Sequence, residues 1–225
     1  MLSVCSEADR QYLGGDTCIH VIPNGFECPS REPLRCLDGP PRIGFIGLYS
    51  YPPNREGLEW FVRECWGQIK DQIPHARLRL VGKDTEGPLK PEAPDVDGLG
   101  YVADPAEEIA SWSAMIVPVL HGAGTRVKIA DAFSRKCPVV STRLGAFGYE
   151  VRHGSELLLA DKPSEFINAC VSMVQDRVSA AALAERAFSA FLQKWTWDAI
   201  APQVWAAAED CLRRSRDQSA GSMHK

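Results

Sequence analysis

Five short apolar runs, at residues 42–48, 77–81, 114–120, 138–141 and 157–160, alternate with helix-compatible stretches, and this alternation constrains the chain more than any other feature. The first is a short apolar run bounded by turn formers, the pattern of a strand buried on both faces, and the others, Arg77-Leu-Arg-Leu-Val81 among them, read as further strands. Between the first two, Leu58, Phe61, Val62, Cys65, Trp66, Ile69 and Ile73 recur at three- and four-residue spacing along one helix face, with Asn54 placed to cap it. A loop rich in Pro, Gly and Asp is expected from Gly82 to about Asp97. Asp104, Pro105 and Glu107 form a start signal for a short helix, residues 125–135 are helix-compatible, and the chain from 161 to about Arg214 is alanine-rich and helical. The alternation implies right-handed crossovers and an α/β fold, a Rossmann-like doubly wound parallel sheet with helices on both faces. Such a sheet binds its ligand beyond the carboxyl ends of its strands, so the loops there become the candidates.

At 225 residues the chain supports one substantial core with terminal extras. Residues 27–41 carry four prolines and read as a linker. A net charge of -4 gives no general attraction to nucleic acid, so any anion site is local. The eight cysteines form no CxxC pair and no metal-ligand spacing with histidine, which fits reduced thiols in a cytoplasmic protein and no metal. The first residues lack a basic segment followed by an apolar one, and no apolar run approaches the roughly 20 residues that cross a bilayer.

The turn that follows residues 114–120 carries the chemistry. In His121-Gly-Ala-Gly-Thr-Arg-Val-Lys-Ile-Ala-Asp131 two glycines stand between an apolar strand and a helix, where backbone N–H groups can approach a phosphate. Thr125 adds a hydroxyl, Arg126 and Lys128 add positive charge, and Asp131 lies one turn beyond Lys128, placed to accept from a ribose hydroxyl. A diphosphate is the natural ligand. The plainer alternative keeps Gly122 and Gly124 as turn residues, Arg126 in solvent and Lys128 paired with Asp131. Spacing alone leaves both open. Neither a G-x-G-x-x-G nor a P-loop signature occurs, which argues against a nicotinamide cofactor and against ATP hydrolysis. Gly47 can admit a ligand at the end of the first strand or act as an ordinary turn glycine. His121 can reach a sugar or phosphate, or satisfy neighbouring backbone. Trp195, Trp197 and Trp205 fit packing better than carbohydrate stacking.

These residues resemble the retaining GT-B glycosyltransferases of the family 4 type. The resemblance rests on residues 21–26, 45–48 with Pro53 and Asn54, 78–82, 122–132 and 138–142, in that order. It implies that residues 1–26 are the remnant of an N-terminal acceptor domain and its connection, 27–41 the linker, 42–194 the donor-binding domain, 195–214 a C-terminal crossover helix and 215–225 a flexible tail. It further implies a nucleotide-diphosphate sugar, such as a UDP- or GDP-sugar, held by the Gly122–Lys128 stretch, with Asp131 at the ribose, Gly47 beside the phosphates, Asn54 and His121 among the donor-binding residues, and Gly100, Tyr101 and Val102 against the base. Transfer of the sugar to an acceptor would then proceed with retention of configuration, in a polysaccharide-type biosynthesis. Three departures stand out. Ala123 occupies the place of a sugar-binding glutamate, the ribose acid is Asp131 where Glu is usual, and Leu48 followed by residues 51–56 replaces the usual Arg and Lys. With the acceptor half largely missing, the resemblance implies no independent turnover, and a non-catalytic nucleotide-binding or interaction module of the same fold is the alternative. An exposed C-terminal helix would allow self-association, and membrane contact in a full enzyme would be peripheral.

Overall fold

The computed structural model describes residues 2–15, 18–87, 92–122 and 124–222. They form two compact units, Pro29–Phe191 and the pairing of Met1–Cys28 with Leu192–Lys225. In the smaller unit β1 (Leu2–Val4) and β2 (Ile19–Val21) pair in parallel around α1 (Glu7–Tyr12). Ser6 caps α1 by accepting from the Asp9 amide at 3.1 Å.

The larger unit carries β3 (Arg42–Ile46), β4 (Arg77–Val81), β5 (Val96–Gly98), β6 (Ala114–Val117), β7 (Val139–Ser141) and β8 (Leu158–Leu159). All neighbouring pairs are parallel, in the order β5-β4-β3-β6-β7-β8. The order reverses between β3 and β6, the topological switch point of a doubly wound sheet. Ile43, Phe45, Leu78, Leu80, Ile116 and Val140 pack into the core beneath α2 (Pro52–Phe61), a π-helical turn at Val62–Trp66, and α3 (Gly67–Gln72). Met115, Val117 and Val139 point the other way and are equally buried, so both faces of the sheet are covered. Gly44 also faces that second side, where a Cβ would stand 1.9 Å from the Trp112 ring. The remaining helices are α4 (Ala106–Ala110), α5 (Val127–Ser134), α6 (Pro163–Gln175), α7 (Arg177–Lys194) and α8 (Trp197–Ser222).

Several local expectations are corrected. The helix after β3 starts at Pro52 with Tyr51 as its N-cap, and Asn54 lies inside the first turn instead of capping it. Two prolines with φ already near the helical value, and no N–H to satisfy, set that start. The stretch expected to remain loop to Asp97 forms edge strand β5 from Val96. Its Val-Asp-Gly sequence has poor strand propensity, and the ladder from β4 together with ion pairs to Asp97 holds it in place. Helix α4 begins at Ala106, whose amide donates to the Asp104 carboxylate at 3.0 Å. Residues 29–41 contain no helix or strand, yet they are fastened to the larger unit. Arg35 donates to the carbonyls of Ile109 and Trp112, the Cys36 amide donates to Ala110 O, and Glu32 pairs with Lys136. Carbonyls at and just beyond the end of α4 supply the acceptors that this segment reaches. Finally, α8 runs past the expected end at Arg214 to Ser222. Within the smaller unit Trp195 is buried, whereas Trp197 and Trp205 are exposed.

Beside β5, Arg79 donates to Glu108 at 2.6 and 3.0 Å and to Asp97 at 3.1 Å, and Trp112 Nε1 donates to Glu108 at 2.9 Å. Burial pushes the Glu108 carboxyl up, but the bonds from Arg79 and Trp112 and the nearby positive charges outweigh it and leave it below the ordinary range. The Arg77 hydrogen bond, aided by Arg79, likewise holds Asp97 down against partial burial. Depressed carboxylates stabilise the fold above their unfolded pKa, and that contribution is lost as pH falls through the folded values. Glu108→Ala leaves Arg79 half-partnered and the Trp112 N–H orphaned. Urea denaturation at pH 7 should show a loss of about 3 kcal/mol, shrinking as pH drops below about 4.

Candidate functional site

At the carboxyl end of the sheet, beside the switch point, a cavity of about 310 Å³ opens between the loop after β3, the start of α2 and the start of α5. Ile46, Gly47, Tyr51, Asn54 and Val119 form one part of its lining, and Thr125, Arg126, Lys128 and Asp131 another. The turn before α5 uses positive φ at Gly122 and Gly124, 102° and 90°. Arg126 is the N-cap of α5 and makes no side-chain cap, so the helix's first N–H groups, which have no intrahelical partner, belong to residues that line the cavity.

Lys128 is the most constrained group here, with only 9% of its surface exposed. Its Nζ donates to Asn54 Oδ1 at 2.8 Å and lies 4.1 Å from the centre of the Phe45 ring. Burial, reinforced by the Arg126 charge, lowers its pKa to about 7. Gly47 makes room for this arrangement: a Cβ there would lie 2.8 Å from Asn54 Nδ2 and 3.1 Å from Lys128 Nζ. Arg126 is partly buried, which lowers its pKa, while the neighbouring Tyr51 opposes the shift. Burial raises the Asp131 carboxyl, and Arg135, bonded to it at 3.1 Å, pulls in the opposite direction. Lys128 thus bonds to Asn54 and Asp131 to Arg135, where the plain-turn alternative paired the two with each other. The result is a half-enclosed cleft with two cations, a hydroxyl, helix-end amides and one carboxylate, a donor set suited to a phosphorylated ligand that also carries hydroxyls.

Of the residues expected in the site, Gly47, Asn54, Thr125, Arg126, Lys128 and Asp131 line this cavity, and Gly122 and Gly124 shape its turn. His121 is half-exposed and pairs with Glu56 at 3.4 Å, outside the lining. Gly100, Tyr101 and Val102 also stand outside it. Gly100 packs on the Glu86 carboxylate, with its amide donating to Thr85 Oγ1 at 3.0 Å, and Tyr101 is 76% exposed. The position of Ala123 lies outside the described residues. Sequence reasoning missed Tyr51 and Val119 in the lining, and it missed Tyr149, whose hydroxyl donates to Arg126 O at 3.0 Å. Tyr51 was marked only by its place before two prolines, and nothing in the spacing connects Tyr149 to Arg126.

Fold and cleft together define a Rossmann-like α/β domain with its cavity at the topological switch point. Residues 40–176 match the family described as glycosyl transferases group 1, and the chain belongs to that family. It is 27% identical over 209 residues to a phosphatidyl-myo-inositol mannosyltransferase of Mycolicibacterium smegmatis, covering 88% of this chain and 53% of that protein. It is also 27% identical over 160 residues to an uncharacterized 44.6 kDa protein in the cps region of Klebsiella pneumoniae, covering 67% of this chain and 41% of that one. The chain therefore spans about half the length of the curated relatives it matches. Among solved structures, Anabaena Alr3699/HepE in complex with UDP and glucose superposes with a TM-score of 0.73 at 17% identity, over 93% of this chain and 62% of that one. A sucrose-phosphate synthase from Thermosynechococcus elongatus gives 0.74 at 20% identity, over 94% and 58%. The fold is thus that of the GT-B glycosyltransferases. No described helix is long and apolar enough to cross a membrane.

Proposed function

We propose that this chain is the donor-binding part of a glycosyltransferase that takes a nucleotide-diphosphate sugar and, with an acceptor domain, transfers the sugar with retention of configuration. The observation that carries the reading is the buried Lys128, held beside Arg126 and the start of α5 in a cavity at the switch point. A lysine drawn this far from water, with neutral Asn54 as its hydrogen-bond partner, is matched by an anion entering the cavity. Arg126 and Lys128 take the diphosphate, the α5 amides take a phosphate oxygen, and Asp131 accepts from the ribose. The solved relatives whose names include UDP support a uridine nucleotide as the first ligand to try. In the reaction itself, these groups stabilise the negative charge that grows on the departing nucleoside diphosphate as the bond from its phosphate oxygen to the sugar's anomeric carbon breaks and the acceptor hydroxyl takes its place.

Isothermal titration of the chain with UDP, GDP, ADP and CDP at pH 6.5 should give saturable one-to-one binding of at least one of them. Failure of all four to bind removes the donor-site reading.

A further inference from the structure

Asn54 belongs to α2 and Lys128 to α5, and the hydrogen bond between them crosses the cavity wall. The Asn54 amide has a fixed orientation, because its Nδ2 donates to Leu48 O at 2.9 Å and so turns Oδ1 toward Lys128. Gly47 fills the third side, with no space for a methyl group against either side chain. One amide therefore ties the loop after β3, the start of α2 and the start of α5 to a single ammonium. An amide oxygen is a neutral acceptor. It holds the ammonium in place without cancelling its charge, whereas a carboxylate there would form a closed ion pair and repel an incoming anion.

We infer that Asn54 is a positioning residue: it holds the Lys128 ammonium in register for a phosphate of the donor, acting on the ligand through the lysine. This rests on the donor-site reading above and assigns Asn54 a role within it. The ionisable groups around Lys128 are Arg126 and Asp131 on its own helix and Tyr51 at the start of α2, with Arg135 engaging Asp131. Among them Arg126 acts on the lysine charge, and it opposes protonation, as burial does. Among the described residues, an acid at position 54 would be the first opposite charge in direct contact with the ammonium.

The test uses Asn54→Asp and Asn54→Ala and two readouts. The first is the titration of Lys128 in the ligand-free chain, followed by NMR of ¹³C-labelled lysine side chains. The second is affinity for the best-binding nucleoside diphosphate at pH 6, where the native lysine is already mostly protonated. Asn54→Asp should move the Lys128 midpoint up by at least about one pH unit, since an opposite charge at contact favours the charged form. Both variants should bind the nucleotide about tenfold more weakly, by losing the anchor or by occupying the ammonium, measured where each is folded by circular dichroism. A Lys128 midpoint unmoved by Asn54→Asp, or unchanged affinity in both variants, overturns the inference. If the native chain binds no nucleoside diphosphate while the midpoint still moves, the donor-site reading fails and the Asn54–Lys128 coupling stands.

Discussion

Lys128→Met is expected to weaken nucleoside diphosphate binding by about 30-fold and, at the same time, to make the free chain more resistant to denaturant at neutral pH. The two effects share one cause. Lys128 is buried, its Nζ lies against Asn54 and the Phe45 ring, and its pKa is lowered to about 7. An exposed lysine in the unfolded chain titrates near 10.4, so between about pH 7 and 10.4 the unfolded state holds one proton more than the folded state. Folding therefore becomes more favourable as pH rises through that window, and the full deficit applies below pH 7. At pH 7 the deficit is on the order of 4 kcal/mol. Methionine fills similar volume without charge, and after the lost Asn54 hydrogen bond is set against the gain, about 2 kcal/mol of stabilisation should remain. Urea titrations at pH 7 and pH 9.5 should show the advantage of the variant diminishing at the higher pH. A variant less stable than the native chain at pH 7 would contradict this account of the site.

The same protonation sets the pH dependence of binding. A diphosphate favours the charged lysine, so native affinity should fall above pH 7 by up to about tenfold per pH unit, while the Met variant stays flat over that range. A site that destabilises its own fold until an anion arrives is what a binding function would retain and a purely structural position would lose.

Much of this was legible in the sequence because burial on both faces leaves a simple trace. β3, β6 and β7 lie where apolar runs predicted them, β4 where the Arg-Leu-Arg-Leu-Val segment read as a strand, and the helix face from Leu58 to Ile73 packs as its spacing requires. β5 was not legible, since an edge strand made of Val96, Asp97 and Gly98 owes its place to a neighbour's ladder and to Arg77 and Arg79, not to its own composition. The glycine turn and its cations were visible as a local cluster. The partner of Lys128 was not, because Asn54 lies 74 residues earlier and local rules assigned it to a helix cap. His121 and residues 100–102 show the converse: adjacency to the motif in sequence, or likeness to a family, did not bring them into the cavity lining.

Gly82→Ala is expected to lower both stability and nucleotide affinity while leaving every polar site residue unchanged. Gly82 follows β4 with φ 128°, a region that side chains with a Cβ rarely occupy. A Cβ there would stand 2.1 Å from Gly47 O and 2.7 Å from Gly47 C, both backbone atoms that cannot rotate away. Gly47 is tied down as well, its amide donating to Val81 O at 2.9 Å, while the Gly82 amide donates to Gly100 O at 2.8 Å. The loops after β3 and β4 are thus in backbone contact, and the added methyl must push the first of them outward. Strain at φ and overpacking together should cost about 3 kcal/mol, read as a fall in the urea midpoint. The displacement also falls on Gly47, the residue against which Asn54 and Lys128 are packed. Nucleotide affinity should therefore drop at least about tenfold under conditions where the variant remains folded by circular dichroism. Gly87→Ala, where φ is 79° but nothing lies within 4 Å of the added atom, provides the contrast: it carries backbone strain without the clash and should leave nucleotide affinity within about twofold of the native value. Equal losses of affinity in the two variants would show that strain alone, and not the contact with Gly47, connects this loop to the cavity.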